Sequence, residues 1–479
     1  MIEPRGGVWW TDNDFGKRVP GTLTRVGDVW QLDLIGRFPE SESEIDSVAV
    51  VPPTTVYGSS RGTRYTLHHA YLQRSATPGR LLTVPPDERD RGEDQYSQRW
   101  SAYALLKGDA LPRDILFTSA QFELNGLSAW WPHGNLRRLP MTASIDDEWP
   151  PPTIADCGDG VRVTISILPG ETHGTRSRSL TARTVMWVDR HPGFTFDEFF
   201  DVILPPLRGL LSILMHRPVE VINLQLQPSY DWPAESRGPL AAYPIEVDPG
   251  VIDGLVDSEI DHWSPTFTAE AVDPAALISR WVRLASSNRV PLDVAAPRKS
   301  PGPLQFEAVA VVNAAETLHR TLHGAREGSL LADRVGRALK AQGGFNARER
   351  SKIVSALRHQ GVTLERRLLD IAEALGDGAG AWMLNDQVAE WAKVAAAVRN
   401  ALSHGFPTEH RVEQDHRALV GVLRSTQAVI RLRLLVEAGV PSGSALVTML
   451  QRDDQYVALR QQSLADWRQL AASIRTTTA

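Results

Sequence analysis

The stretch Asn288 to Pro303, NRVPLDVAAPRKSPGP, holds four prolines and little periodicity, so neither a long helix nor an interior strand can run through it. It separates two kinds of text. Before it the chain reads in short β-type runs broken by turn residues; after it, apolar residues recur at helical spacing. The expected fold class is therefore α+β multidomain. A β-rich domain, sandwich or barrel-like, spans residues 1–287 with a few helices towards its end; a linker covers 288–303; an all-α bundle covers 304–479. A length of 479 residues fits two or three domains, each able to bury a core.

In the first part the predicted strands are Leu23 to Thr24, Val29 to Ile35, Ser47 to Val51, Arg64 to Leu72, Ile115 to Leu124 and Val161 to Ile167. Trp9, Trp10, Trp30, Trp130 and Trp131 fit the core of a β domain better than a ligand platform. His68-His69 lies in an alternating strand and reads as a half-buried polar pair. Asp12-Asn13-Asp14 begins like a calcium loop, but Leu23 stands where the closing Glu belongs, so it reads as a turn. Helix is expected between Thr195 and Met215, then a strand from Val219 to Pro228, and Asp273-Pro274 reads as a helix N-cap and first residue.

In the second part Asn346 and Glu349 form a capping box for a helix over Ala347 to His359, and Thr363 to Leu375 makes the next helix. The stretch Trp391 to Pro407, WAKVAAAVRNALSHGFP, carries the chemistry. Val388, Trp391, Ala395, Val398 and Leu402 face a core, and Gly405 with Pro407 ends the helix near His404. On an unbroken helix Arg399 and His404 lie about 140° apart around the axis. Their convergence then calls for a loosened last turn or a second copy of the helix opposite, whereas Asn400 and His404 share a face.

Arg399-Asn400-Ala401-Leu402-Ser403-His404 resembles the R-x(4 to 6)-H motif of HEPN domains, with Asn second as in their ribonuclease members. Upstream, LQFEAVAVVNAAETLHRTLH at Leu304 to His323, with Glu316 before His319-Arg320, resembles the opening helix of the ApeA-like HEPN domain. GTLTRVGDVWQLDLIG and FTSAQFELNGLSAWW resemble the β-rich N-terminal domain that accompanies it. The resemblance implies an antiviral, abortive-infection endoribonuclease, regulated by its N-terminal domain and cutting host or phage RNA. It also implies a homodimer through the HEPN domain and a phage-derived trigger.

The residues suit that chemistry. An attacking ribose 2′-hydroxyl must lose a proton and the leaving 5′-oxygen must gain one, work for an imidazole such as His404. Charge gathering on the phosphorane suits a planar, permanently charged fork, Arg399, with Asn400 orienting His404 or the phosphate. Glu316 is placed to reach Arg399 or Asn400, and Glu316→Gln is expected to lower activity with little loss of stability. No metal or cofactor is expected. The i, i+4 pair His319 and His323 has zinc-like spacing but no cysteine beside it, and reads as the polar edge of an amphipathic helix.

The bounds agree with this picture. Over residues 301–479 there are 22 Lys and Arg against 18 Asp and Glu, leaving 29 against 39 over 1–300, so only the C-terminal part tolerates a polyanion. The single cysteine, Cys157, excludes an internal disulfide and any cysteine-rich metal site. No apolar run reaches membrane-spanning length, and MIEPRGGVWW lacks signal-peptide character, so a cytoplasmic chain without membrane attachment is expected. The competing readings are a HEPN-fold module that binds RNA or protein without cutting, and a structural partner of another toxin.

Overall fold

In the computed structural model the chain forms two compact units. The structure describes residues 4–11, 17–27, 29–38, 54–76, 97–132, 149–173, 178–229, 245–248, 264–298, 302–323, 326–359, 362–405, 408, 411–462 and 467–474. The expected strand Ser47 to Val51, the Asp12-Asn13-Asp14 turn and Pro407 lie outside these residues.

The N-terminal unit is a β-barrel with extra strands. Strands β1 (Arg5–Thr11), β2 (Val19–Val26), β3 (Val29–Ile35), β4 (Thr54–Ser60), β5 (Thr63–Ala76) and β6 (Ser97–Ala102) run in the order β4-β1-β2-β3-β6-β5, and a β4–β5 pairing closes the ring. Closure leaves no free edge along these strands and encloses a core of Trp9, Leu23, Trp30, Leu32, Val56, Leu67 and Trp100. All five tryptophans assigned to the β core are buried, but Trp130 and Trp131 belong to the helical unit and not to the barrel unit. Trp9 lies flat against Gly58, where a Cβ would come within 2.1 Å of its ring, so this strand crossing requires a residue without a side chain.

From β5 the sheet continues through β7 (Ala104–Lys107), β13 (Ile245–Asp248), β12 (Val221–Pro228), β8 (Phe117–Leu124), β11 (Arg178–Phe194) and β10 (Val161–His173) to β9 (Thr153–Gly158). The long β10–β11 ribbon was legible only in part. Val161 to Ile167 carries alternation, but the polar run RSLTAR that begins β11 does not read as strand; its pairing with β10 from His173 to Val161 makes it one.

Strand β5 departs from simple alternation. Thr54 pairs with Ala70 and Val56 with Leu67, so Thr55 alone faces both His68 and His69. This is a β-bulge, and His69 sits in the left-handed region at φ 52°. The bulge cancels the alternation expected of the two histidines and turns both towards Asp197.

The C-terminal unit is helical, but it is not only residues 304–479. It gathers 129–132, 203–219 and 263–479, so helices Leu204–Met215 and Pro274–Ser287, expected to close the first domain, pack among the C-terminal helices instead. Trp281 Nε1 donates to Pro206 O at 2.8 Å within this unit. Part of the expected linker is itself a helix, Arg289–Ala295, because Pro291 falls in the first turn where its missing N–H has no intrahelical partner to lose. The local signals were otherwise read correctly. Asp273 caps Pro274–Ser287 by accepting from Ala276 N, Thr363 caps Leu364–Glu373 by accepting from Arg366 N, and Asn346 and Glu349 exchange both capping-box bonds at 2.9 Å.

At the centre of the unit, Leu304–His323, Leu364–Glu373, Val388–His404 and His416–Glu437 pack against one another. Trp391, Ala395 and Val398 of the Val388–His404 helix are buried, and Gly405 at φ 68° caps it by donating to Ala401 O. Among the described residues no helix is long and apolar enough to cross a membrane.

Candidate active site

The site forms where the C-terminal end of helix Val388–His404 passes the middle of helix Leu304–His323. Ala308, Val311, Ala315 and Leu318 are buried on the latter helix and fix its rotation, which leaves Asn313 and Glu316, three apart, on the neighbouring face towards Arg399. Arg399 Nε donates to Asn313 Oδ1 at 2.9 Å, and Arg399 Nη2 points to Glu316 Oε2 at 3.5 Å. Arg399 Nη1 donates to Asn400 Oδ1 at 3.0 Å and stands 3.4 Å from His404 Nε2. One guanidinium therefore touches all three other residues singled out in the sequence.

The expected divergence of Arg399 and His404 does not hold, and neither a loosened turn nor a second copy is needed to bring them together. The helix runs unbroken from Val388 to His404. Helical side chains lean towards the N-terminus, so the His404 ring reaches back over its own last turn. The long arginine stem carries its charge around the helix to meet it. The 140° between Cα directions describes the backbone, not the reach of the side chains.

Glu316 is more heavily engaged than the sequence implied. Besides Arg399 it accepts from Arg320 at 2.6 Å, one turn on, and from Arg367 on helix Leu364–Glu373. Its side chain is 14% exposed and that of Arg367 17%, whereas Arg320 lies out in solvent at 62%. The cluster is a carboxylate shared by three guanidiniums, with Arg399 turned to the open side where Asn400 and His404 are exposed.

His319 and His323 stack at 4.5 Å between centroids, but His319 Nε2 lies 3.0 Å from Asp370 Oδ2. Asp370 is also held by Arg366 at 2.7 Å. Burial pushes the His319 imidazole below its ordinary range; the Asp370 hydrogen bond pulls it back, and His323 and Arg367 add to the lowering. The pair is thus part of an interhelical ion network, and the three-donor metal grouping found among the described residues lies elsewhere, in the barrel unit.

Asn313 and Arg367 were missed in the sequence. Asn313 had a usable signal, lying one helical turn before Glu316 on an already recognised helix. Arg367 had none, since its partner is 51 residues away.

Comparison with protein families assigns both units. Residues 4–239 match the family model described as ApeA N-terminal domain 1, and residues 309–444 match the Apea-like HEPN domain. The second match spans Asn313, Glu316, Arg367, Arg399, Asn400 and His404. The chain belongs to the two-domain ApeA-like HEPN family. This pairing of domains suggests an antiphage-defence HEPN protein. Comparisons with curated proteins and with solved structures returned no match.

Proposed function

We propose that the helical unit is an endoribonuclease working without a metal ion, with His404 as its acid and base and Arg399 as its phosphate-binding cation. The observation that carries this reading is the 3.4 Å approach of Arg399 Nη1 to His404 Nε2 at an exposed helix end. The approach sets an imidazole, which can take and return a proton, beside a fixed positive charge. His404 takes the proton from a ribose 2′-hydroxyl as O2′ attacks the adjacent phosphorus. The same imidazole returns the proton to the departing 5′-oxygen, leaving a 2′,3′-cyclic phosphate and a 5′-hydroxyl.

Arg399 stabilises the charge on the non-bridging oxygens. Its Nη2 has a second hydrogen beyond the one aimed at Glu316, and that donor serves the phosphate. Asn400 accepts from Arg399 through its carbonyl, which leaves its amide N–H groups for the RNA backbone. Glu316 and Asn313 act through Arg399 and are positioning residues. The ApeA-like N-terminal unit receives the infection signal, and the active form is a homodimer; both features rest on the family resemblance.

Expression toxicity and RNA cleavage test the reading together. Arg399→Ala and His404→Ala are expected to remain soluble, lose toxicity and release no 2′,3′-cyclic phosphate ends. An RNA with a single 2′-deoxy sugar at the scissile position should resist the wild-type protein. Alanine variants that cut at the wild-type rate refute the assignment in favour of a binding module. Sedimentation of the full chain reads the dimer directly.

A further inference from the structure

We propose that His68, His69 and Asp197 of the N-terminal unit form a binding site for a divalent transition-metal ion, zinc by its donor set. In a regular strand adjacent side chains point to opposite faces, so neighbouring histidines cannot normally share one ion. Here the β5 bulge places two residues opposite Thr55, and the left-handed turn of His69 swings its ring to the side of His68. The ring centroids are 4.4 Å apart. Both Nε2 atoms converge on the same carboxylate oxygen, Asp197 Oδ1, at 3.2 Å from His68 and 2.6 Å from His69.

The carboxylate is positioned by sequence-remote but local structure. Thr195 caps the turn Phe196–Glu198 by accepting from Glu198 N, which fixes Asp197 in its first residues. A π-helical segment, Phe199–Ile203, follows directly. The ring of Phe196 packs 4.4 Å from that of His68 and gives the site an apolar wall.

The dimensions suit a metal. Bonds of about 2.0–2.2 Å to nitrogen and oxygen place tetrahedral donors about 3.3 Å apart. The His68 to Asp197 separation already has that value, and all three donor atoms lie within 4.8 Å of one another. Seating an ion requires that Asp197, half exposed, withdraw from His69 by less than about 1 Å and that the two imidazole nitrogens, within 4.8 Å of each other, settle to the same spacing. Two imidazoles and one carboxylate favour zinc and its first-row neighbours over calcium or magnesium, which prefer all-oxygen sites. Three protein donors leave an open position towards solvent for water or a ligand atom.

The test uses untagged full-length protein stripped with a chelator and titrated with Co²⁺, followed by visible absorption, with Zn²⁺ in competition. One equivalent of Co²⁺ should bind and Zn²⁺ should displace it. Zn²⁺ at about 100 times its dissociation constant should raise the folded-to-unfolded ratio of the N-terminal unit about 100-fold. Asp197→Asn and His69→Gly should each weaken binding at least tenfold, by an estimate of about one lost ligand. Glycine is compatible with the left-handed backbone at position 69, so this variant removes the ligand without straining the bulge. X-ray absorption on the zinc-loaded wild type should show imidazole and oxygen donors, and it decides the matter if a variant fails to fold. Absence of saturable binding, undiminished binding in both variants, or a zinc spectrum without imidazole overturns the site.

Discussion

Replacing Glu316 by Gln removes the one negative charge shared by three guanidiniums while keeping the shape of the side chain. Two of those partners, Arg367 and Arg399, are mostly sheltered at 17% and 23% exposure, and the third, Arg320, is largely in solvent. A hydrogen bond to a charged acceptor is worth about 1.5–3 kcal/mol and a neutral one about 0.5–1.5, so each sheltered contact should lose about 1 kcal/mol. The exposed contact with Arg320 adds less than about 1 kcal/mol. A total near 2 kcal/mol corresponds to a fall in Tm of about 4–8 °C for a unit of this size. This revises the expectation that stability would barely change, because Arg367 lies 51 residues from Glu316, beyond the reach of local spacing.

Differential scanning calorimetry and RNA cleavage should be run on the same Glu316→Gln preparation, well below its Tm. Cleavage should fall because Arg399 keeps Asn313 on its Nε but faces a neutral amide in place of the carboxylate beside Nη2. Arg367→Met separates the two roles: it should lower Tm comparably yet retain more activity, since Arg399 keeps its own contacts with Asn313 and Glu316. If Glu316→Gln melts within 1 °C of wild type, by the same conversion of about 2–4 °C per kcal/mol, the cluster contributes nothing net. If it melts low but cuts normally, Glu316 has no positioning role.

Acid should weaken the helical unit through His319. Its folded imidazole is held below the ordinary value, so the unfolded chain binds the proton first, and stability falls as pH drops through the normal histidine range. The groups facing it are Asp370, which opposes the shift, and His323 and Arg367, which add to it; His319→Gln should flatten the pH dependence of the melting curve, and an unchanged slope refutes the assignment. In the barrel, Gly58→Ala should destabilise by about 1–3 kcal/mol, the usual cost of overpacking, since its Cβ must displace the Trp9 ring. Urea unfolding followed by tryptophan fluorescence reads that change, and a neutral result means that β1 and β4 can separate without loss.

The sequence alone determined what depends on near neighbours along the chain. Helix caps at Asp273, Thr363 and Asn346, the glycine stop after His404, the burial of the tryptophans and the change from β to helical text all follow from spacing and side-chain chemistry within a few residues. The motif residues were legible because they lie within one turn and a half of helix. What lay beyond it was contact at long range. The barrel pairings of β1 with β4 and of β3 with β6, the pairing of Arg178–Phe194 with β8, and the recruitment of 203–219 and 263–287 to the helical unit are each decided by partners far along the chain. So are the Arg367 contact with Glu316 and the meeting of His68 and His69 with Asp197, 129 and 128 residues away. The physical reason is the same in each case: local propensity fixes backbone direction and face, but only packing fixes which distant face is opposite, and long polar side chains then reach whatever that packing brings within range.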